Sequence, residues 1–129
     1  MNKLGGYLFV FAIVLIIAVS GILSQRYLDE TADGLSASLR QVGKALASEN
    51  WEQCDRAFSS FERSWRVVRR NWGLVVDHME IDNVDMRIAR LKVFIKEREA
   101  DEALAEYSEA MLLLEHIPER ERLTWRNLF

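Results

Sequence analysis

One stretch of the chain, residues 50–79, has the most regular alternation of apolar and polar positions. Its apolar residues recur in steps of three and four: Trp51, Cys54, Phe58, Phe61, Trp65, Val68, Trp72, Val75 and Met79. This spacing places all of them on one face of an α-helix. The pattern therefore predicts a central helix of about 43 Å that buries a wide aromatic face in an all-α core.

A second stretch, at the N-terminus, is apolar on all sides. The run from Leu4 to Ser24 contains no charged residue, and its length is enough to cross a ~30 Å hydrocarbon layer as a helix. Tyr7 lies near one boundary, and Arg26 and Tyr27 lie at the other, as is typical of residues at a membrane interface. We therefore expect residues 1–25 to form a transmembrane anchor.

The N-terminal segment has one alternative interpretation, a cleaved signal peptide, and its flanking charges bear on membrane orientation. A cleaved signal peptide would use Lys3 as its basic region and Ala18-Val19-Ser20 as its cleavage site. A retained anchor is favoured because the apolar run is long and helical patterning resumes directly after it. A short tail bearing Lys3 favours an N-terminus inside the cell, although Arg26 opposes this orientation. Residues 26–129 are then expected outside the cytoplasm, on a single-pass protein of the cell membrane.

Beyond the anchor, residues 26–129 predict an antiparallel bundle of about four helices, arranged as two helical hairpins. The first of these helices can continue directly from the anchor. Besides the central stretch, three apolar stripes follow the helical period: Leu28, Ala32, Leu35, Leu39, Val42 and Leu46; Ile81, Val84, Ile88, Leu91 and Ile95; and Ala103 or Leu104, Tyr107, Met111 and Leu114. A weak repeat, seen when the chain is shifted by about 49 positions, supports the two hairpins.

Polar residues between the stripes predict where the helices begin and end. Asn50, with Gln53 three positions later, has the pattern of a capping box and predicts the start of the central helix. Asp82 and Asp85 are expected to cap the third helix. Pro118 is expected to end the fourth helix, because proline cannot continue the backbone hydrogen-bond ladder. Residues 119–129 would then form a separate C-terminal tail.

Composition and motifs exclude several classes of function. The net charge of −3, from 20 acids and 17 bases, argues against nucleic-acid binding through phosphate contacts. The single cysteine, Cys54, excludes an intrachain disulfide and is expected to act as a small hydrophobe on the core face. There is no HExxH, GxGxxG, P-loop or GxSxG motif. We expect neither an enzyme nor a protein with a cofactor.

The predicted topology brings two histidines together. Up-and-down connectivity places the ends of the second and fourth helices close to the bilayer, and these ends carry His78 and His116. With Glu80 and Asp82 they form a candidate polar cluster for a divalent transition metal or for titration near neutral pH. The alternative is that each histidine caps the last carbonyls of its own helix.

Two further sets of residues are candidates for contact with lipid or a partner. Arg66, Arg69 and Arg70 form a basic stretch that is either the solvated, ion-paired side of the central helix or a contact for anionic lipid or an acidic partner. Trp125 and Phe129 suit a membrane interface, where aromatic rings are favoured. The alternative for these two is that the tail folds back and seals the end of the bundle.

Three segments behind the single N-terminal span carry a resemblance. They are Trp72 leading into Asp77-His78-Met79-Glu80-Ile81-Asp82, then Glu115-His116-Ile117-Pro118, and the closing Thr124-Trp125-Arg126-Asn127-Leu128-Phe129. Together they resemble a bacterial family of small membrane-anchored proteins, domain of unknown function 4363. The resemblance implies a Gram-positive-type cell envelope and work beside a multi-span membrane protein, since relatives are often encoded next to one. It implies no activity and no binding residue.

The sequence thus supports one hypothesis of function and leaves two others open. The favoured one is an interaction or accessory module that docks on an integral-membrane partner at the cell envelope. The second is a metal- or pH-responsive domain that uses His78, Glu80 and His116. The third is a homodimer formed through the heptad from Leu28 to Leu46.

Overall fold

The computed structural model describes residues 2–128, and four helices account for most of them. They are α1 (Lys3–Ala47), α2 (Trp51–Trp72), α3 (His78–Lys96) and α4 (Ala100–Leu128). No strand occurs in this part of the chain. Each helix packs on the next, α4 returns to α1, and the diagonal pairs make no close backbone contact within the described residues. The fold is an up-down-up-down bundle, which confirms the all-α prediction.

The longest helix, α1, belongs both to the apolar N-terminal segment and to the bundle. It runs for 45 residues without a break, a length of about 68 Å. From Leu4 to Leu23 its large apolar side chains are exposed, and it is the one helix of the described chain that is long and apolar enough to cross a membrane. We call residues 3–24 the stem. The predicted boundary at residue 25 therefore falls inside one continuous helix.

The second half of α1 supplies one side of the bundle core. The six members of its predicted stripe are at most 4% exposed: Leu28, Ala32, Leu35, Leu39, Val42 and Leu46. They are covered within the chain, where α1 packs on α2 and α4. A homodimer through this heptad would have to open the core, so this stripe is not a free dimerisation surface.

The two hairpins turn in the same way. The α1–α2 turn uses residues 48–50 and the α3–α4 turn uses residues 97–99, and their middle residues, Glu49 and Arg98, both have a left-handed φ, of 52° and 60°. In each turn the N–H of the third residue donates to the carbonyl five positions back, at 2.9 Å, which is the Schellman termination. Equivalent residues are 49 positions apart, so the backbone confirms the repeat.

Helix α2 begins where the sequence predicts but ends earlier than predicted. The Asn50 side chain accepts a hydrogen bond from the Gln53 N–H at 3.2 Å, as expected for an N-cap. The helix then stops at Trp72 and is followed by a five-residue connection, Gly73–Asp77. The prediction that one helix extends to Met79 is wrong, because this connection breaks the helical register before that residue.

The N-cap of α3 also differs from the prediction. It is Asp77, whose carboxylate accepts a hydrogen bond from the Met79 N–H at 2.8 Å. Neither Asp82 nor Asp85 caps the helix, since both lie inside it. Asp85 instead accepts a hydrogen bond from Trp65 Nε1 of α2 at 2.8 Å. An aspartate expected to start a helix therefore joins two helices.

Helix α4 continues through Pro118, which the sequence predicts to be its end. Proline removes one backbone donor from the helix, but Pro118 and Ile117 before it are buried. The Pro118 carbonyl accepts a hydrogen bond from Gln25 Nε2 of α1 at 2.9 Å. Packing on α1 thus keeps the helix continuous, and residues 119–128 are its last turns rather than a separate tail.

The aromatic face of α2 fills the middle of the bundle, as the apolar pattern predicts. Phe61 and Trp72 are fully buried and Trp65 nearly so. The rings of Trp65 and Trp72 meet edge to face, with centroids 5.6 Å apart, a favoured arrangement for aromatic pairs. Trp72 Nε1 donates to Thr31 Oγ1 at 2.8 Å, which satisfies the indole inside the core.

Candidate functional site

The bundle has two ends with different surfaces. We call the end formed by the α1–α2 and α3–α4 turns the distal end, and the opposite end, beside the stem, the stem end. Two hydrogen bonds of 2.8 Å fix the stem end along α1: Asn71 Nδ2 donates to Tyr27 Oη, and Trp72 Nε1 donates to Thr31 Oγ1. At 1.5 Å per residue these contacts lie about 5–10 Å beyond Ser24, the last residue of the stem.

The last turns of α4 run past the stem end and onto the stem itself. Arg122 forms an ion pair with Asp29 at 2.6 Å. Farther along, the half-buried ring of Trp125 packs on Gly21, where an added Cβ would lie 3.1 Å from the ring. Gly21 lies inside the stem, so the Trp125 ring is level with the stem and not with the bundle core.

An apolar groove of about 340 Å³ opens between the stem and this part of α4. It is lined by Ala18, Gly21, Ile22, Gln25, Arg122, Trp125 and Arg126. Trp125 was predicted as an interface residue, and the structure places it in this groove. Phe129, the second predicted interface residue, lies outside the described residues.

Large apolar side chains are exposed around the stem end. Leu74, in the connection between α2 and α3, exposes 87% of its surface, the largest fraction for any large hydrophobic residue in the described chain. Met79, in the first turn of α3, exposes 74%. Leu123 and Leu128, on the last turns of α4, are also exposed. The stem end therefore presents apolar groups from two separate segments of the chain.

The two histidines occupy positions that differ from the predicted ones. His78 is the first residue of α3 and His116 lies inside α4, so neither caps the last carbonyls of a helix, and that alternative is wrong. Both side chains are exposed, and neither forms a hydrogen bond or an ion pair within residues 2–128. His116 lines an open groove with Asn83 and Arg87.

The acidic members of the predicted cluster have other partners. Glu80 forms an ion pair with Arg120 of α4, and Asp82 is exposed on α3. Nowhere in the described chain are three or more His, Cys, Asp or Glu side chains grouped so that they could hold a metal ion. The geometry thus gives no support to a metal centre at His78, Glu80, Asp82 and His116.

The pKa of another carboxylate at the stem end, Glu121, is shifted from its ordinary value. Burial raises the pKa of Glu121, and the nearby charges of Glu80 and Asp77 raise it further. The ionised form is disfavoured because it loses hydration and meets two like charges. Glu121 is therefore a titratable group of this end that the sequence did not single out.

The predicted basic stretch on α2 separates into arginines with different surroundings. Arg69 forms an ion pair with Asp85 at 2.7 Å, on the same carboxylate that accepts from Trp65. Arg66 lies 3.9 Å from Glu62. Arg70 is exposed and has no acidic partner within residues 2–128. Of the three, Arg70 alone has its charge available at the stem end.

The one cysteine has the properties of a core residue. Cys54 is fully buried. Burial raises the pKa of its thiol to about 11, and the neighbouring Asp55 contributes to the rise. A thiol that stays protonated at neutral pH is a poor nucleophile and a poor metal ligand. The structure agrees with the interpretation of Cys54 as a small hydrophobe.

Fold and surface together define a class of protein: a small all-α bundle with one apolar stem that continues into its first helix. The family model described as Domain of unknown function (DUF4363) matches residues 22–128. The chain therefore belongs to this family, as its sequence resemblance indicated. Searches of curated proteins and of solved structures gave no match.

Three residues of this end were missed by the sequence interpretation. Leu74 was overlooked because the α2 pattern was extended through it, although Gly73 beside it is a signal for a helix end. Gly21 was counted as one small residue of an apolar run, and no local pattern pairs it with Trp125. Glu121 carries no signal, since its burial depends on helix α4 continuing past Pro118.

Proposed function

We propose that the protein is a single-pass membrane protein whose helical bundle stands at the bilayer surface and serves as an accessory module for an integral-membrane partner. The observation that carries this proposal is the unbroken helix α1, which is apolar and exposed in its first half and buries one face in the bundle core in its second half. The stem is the exposed half, and the bundle leaves its large apolar side chains exposed.

The stem favours a membrane because of how much apolar surface it leaves open. Large side chains from Leu4 to Leu23 are exposed along the whole run, and soluble proteins rarely expose continuous apolar surfaces of this size. A bilayer covers such a surface on every side of the helix and leaves its backbone hydrogen bonds inside the helix satisfied. The bundle would then begin directly above the headgroups.

A line of apolar side chains on α3 supports a protein partner. Met79, Met86 and Val93 are spaced seven residues apart, so they lie along one side of the helix, and each exposes more than half of its surface. Exposed Ala89 lies between them. Methionine is common on surfaces that pack against helices of other proteins. We call Met79, Met86, Ala89 and Val93 the α3 stripe.

The α3 stripe also fits a partner that emerges from the same membrane. It begins at the stem end with Met79 and extends about 21 Å toward the distal end. A helix that leaves the bilayer beside the stem would meet this stripe along its length. We therefore propose the stripe as the docking surface for a helical segment of an integral-membrane protein.

Sidedness is the first property to test. We propose that the bundle lies outside the cytoplasm, from the short tail that carries Lys3. A cysteine introduced at exposed Glu49 in a Cys54→Ala background should react with a membrane-impermeant maleimide on intact cells. The Cys54→Ala protein alone serves as the control. Labelling only after the membrane is permeabilised would place the bundle inside and contradict this proposal.

The partner is tested by site-specific crosslinking of the full-length chain in native membranes. A photo-crosslinking residue at Met86 should yield a product that contains an integral-membrane protein. The same residue at Arg40, which is exposed on α1, is the matched control and should give no such product. Co-purification should likewise be lost with Met86→Glu and kept with Arg40→Glu. Products from both positions, or from neither, would contradict docking on the α3 stripe.

A further inference from the structure

We propose that the stem end of the bundle is itself a lipid-binding surface, which rests in the interfacial layer of the bilayer that holds the stem. Two separate segments make the contact: the α2–α3 connection around Leu74 and the last turns of α4 from Leu123 to Leu128. This inference rests on the proposed membrane anchoring and adds a second, non-spanning contact to it. The occupant of the surface is phospholipid.

The position of these segments along α1 is the first support. Asn71 and Trp72 are bonded to Tyr27 and Thr31, close to the end of the stem. Leu74 follows them in the direction of the stem, so it lies nearer than they do to the level at which the apolar run of α1 ends. With the stem in a bilayer, this level is the boundary between headgroups and hydrocarbon.

The last turns of α4 reach deeper than this level. Trp125 packs on Gly21, three residues inside the stem, and Leu128 lies about 5 Å farther along its helix. A depth of this size is usual for amphipathic helices that lie in a membrane interface. Exposed Leu123 and Leu128 would then face lipid rather than water. The groove between Ala18 and Trp125 opens at the same depth, where acyl chains are available to fill it.

Most arginines at the stem end are paired within the chain, so their charges are not available for anionic lipid. Arg120 pairs with Glu80, Arg122 pairs with Asp29, and Arg26 pairs with Glu30. Arg70 and Arg126 have no acidic partner in the described chain. Two available arginines are too few for strong attraction to anionic lipid. We therefore expect the same contact on zwitterionic and on anionic membranes.

Continuity with the stem favours lipid over a protein occupant. The connection at Leu74 and the end of α4 face the layer that the stem enters, and α1 has no break that would let the bundle turn away from it. The α3 stripe, by contrast, extends away from this layer. Because the stem end faces the bilayer that the stem enters, phospholipid is the molecule expected to contact it.

The test uses the full-length chain with Cys54→Ala, reconstituted at low protein density in phosphatidylcholine vesicles. An environment-sensitive fluorophore is attached to a cysteine at Leu74, and lipids that carry a spin label near the headgroup act as quenchers. Val67 is the matched control, because it is an exposed apolar position on α2 about 10 Å farther from the stem. A probe at Val14 reports on the stem itself.

The expected result is several-fold stronger quenching at Leu74 than at Val67, with a blue-shifted emission at Leu74 only. Quenching should change little when anionic lipid is added or when salt is raised. A probe at Leu123 should behave like the one at Leu74. Equal, weak quenching at Leu74 and Val67, with the Val14 probe in lipid, would overturn this inference and leave the anchoring intact.

Two other outcomes would also count against it. A Val14 probe in water would show that the stem does not span, and the proposed function would then fail together with the lipid contact. Quenching at Leu74 that appears only with anionic lipid would overturn the apolar contact in favour of an electrostatic one. The probes at Val14 and Leu74 thus distinguish a stem that does not span the bilayer from a stem end that does not contact it.

Discussion

The distal end and the stem end close the same bundle in different ways. At the distal end, two short turns share one Schellman geometry and carry only polar or charged residues, Ser48-Glu49-Asn50 and Glu97-Arg98-Glu99. At the stem end, the connection Gly73–Asp77 is longer, and it exposes Leu74. Helix α4 does not end there but continues onto the stem.

The comparison shows that the residue types in a connection between helices depend on what surrounds it, as well as on which helices it joins. Both distal turns place a charged residue at the left-handed position that glycine prefers, and Arg98 is used further, in an ion pair with Asp55 at 2.9 Å and above the Trp51 ring. These choices suit water. At the stem end the chain leaves a leucine exposed, a choice that suits contact with an apolar layer.

The largest expected effect distinguishes the tryptophans of the two ends. Trp72→Ala should lower the free energy of unfolding by about 3–5 kcal/mol, the range for truncating a buried aromatic residue. The change removes a fully buried ring and the hydrogen bond to Thr31. Urea unfolding of the bundle in detergent micelles, followed by circular dichroism, measures the loss.

Trp51→Ala is the counterpart at the distal end. This ring is only partly buried, and its main partner is the guanidinium of Arg98, 5.3 Å from the ring centroid. We expect a loss of about 1–2 kcal/mol. Equal losses for Trp72→Ala and Trp51→Ala would contradict the difference in burial between the two rings.

A medium effect is expected along the seam between α1 and α4. Gly43, near the distal end, faces the ring of Tyr107, and an added Cβ would overlap that ring. Gly43→Ala should therefore cost about 1–3 kcal/mol, the range for overpacking a core. Thermal unfolding with and without Tyr107→Ala measures it, since the smaller side chain should relieve the overlap.

Two other glycines of α1 provide the controls for this substitution. Gly34 has open space around it, so Gly34→Ala should gain about 0.5–1 kcal/mol through helix propensity. Gly21→Ala at the stem is expected to cost less than Gly43→Ala, because the Trp125 ring has to move by only a few tenths of an ångström. No loss at Gly43 would disprove the close approach of α1 and α4 there, and a loss at Gly34 would contradict the open space around that residue.

The smallest expected effects are two opposite pH dependences of stability, one at each end of the bundle. Hydrogen bonding to Arg98 lowers the pKa of Asp55 at the distal end, so this pair stabilises the fold above the ordinary pKa of aspartate and the gain is lost as pH falls through the lowered value. At the stem end the pKa of Glu121 is raised by burial and by Glu80. Its ionised form therefore destabilises the fold at neutral pH, and acid relieves the cost.

Two variants separate these contributions. Asp55→Asn should lower the melting temperature at about pH 7, and the difference from the parent protein should shrink as pH falls below the ordinary pKa of aspartate, about 3.9, toward the lowered value. Glu121→Gln should raise the melting temperature at about pH 7, and its difference should likewise shrink in acid. Shifts of the same sign at neutral pH would contradict the assigned surroundings.

Much of the fold was predictable because its apolar period is strict. Leu28 to Leu46 and Ile81 to Ile95 are buried at every predicted position, and Asn50 caps α2 as its spacing from Gln53 indicated. The 49-residue shift also pointed to two helical hairpins of similar design. These features depend on local chemistry, which a single sequence contains.

The parts that failed depend on contacts between distant segments. Met79 continues the period of α2, and only the connection before it moves this residue to the surface of α3. Pro118 is a local signal for a helix end, but the hydrogen bond from Gln25, far away in the chain, holds the helix there. For the same reason the partner of Glu80 is Arg120, and the described residues do not bring His78, Glu80, Asp82 and His116 together as a group that could hold a metal ion.

Because α1 passes from stem to bundle without a break, a stem that spans a bilayer as proposed would carry the bundle with it as one rigid body. The distal turns lie about 35 Å from Ser24 along this helix. A change of about 20° in stem tilt, the average tilt of transmembrane helices, would swing them sideways by about 12 Å. With the stem in a bilayer as proposed, a change in bilayer thickness or in the packing around the stem would thus displace the distal end of the bundle.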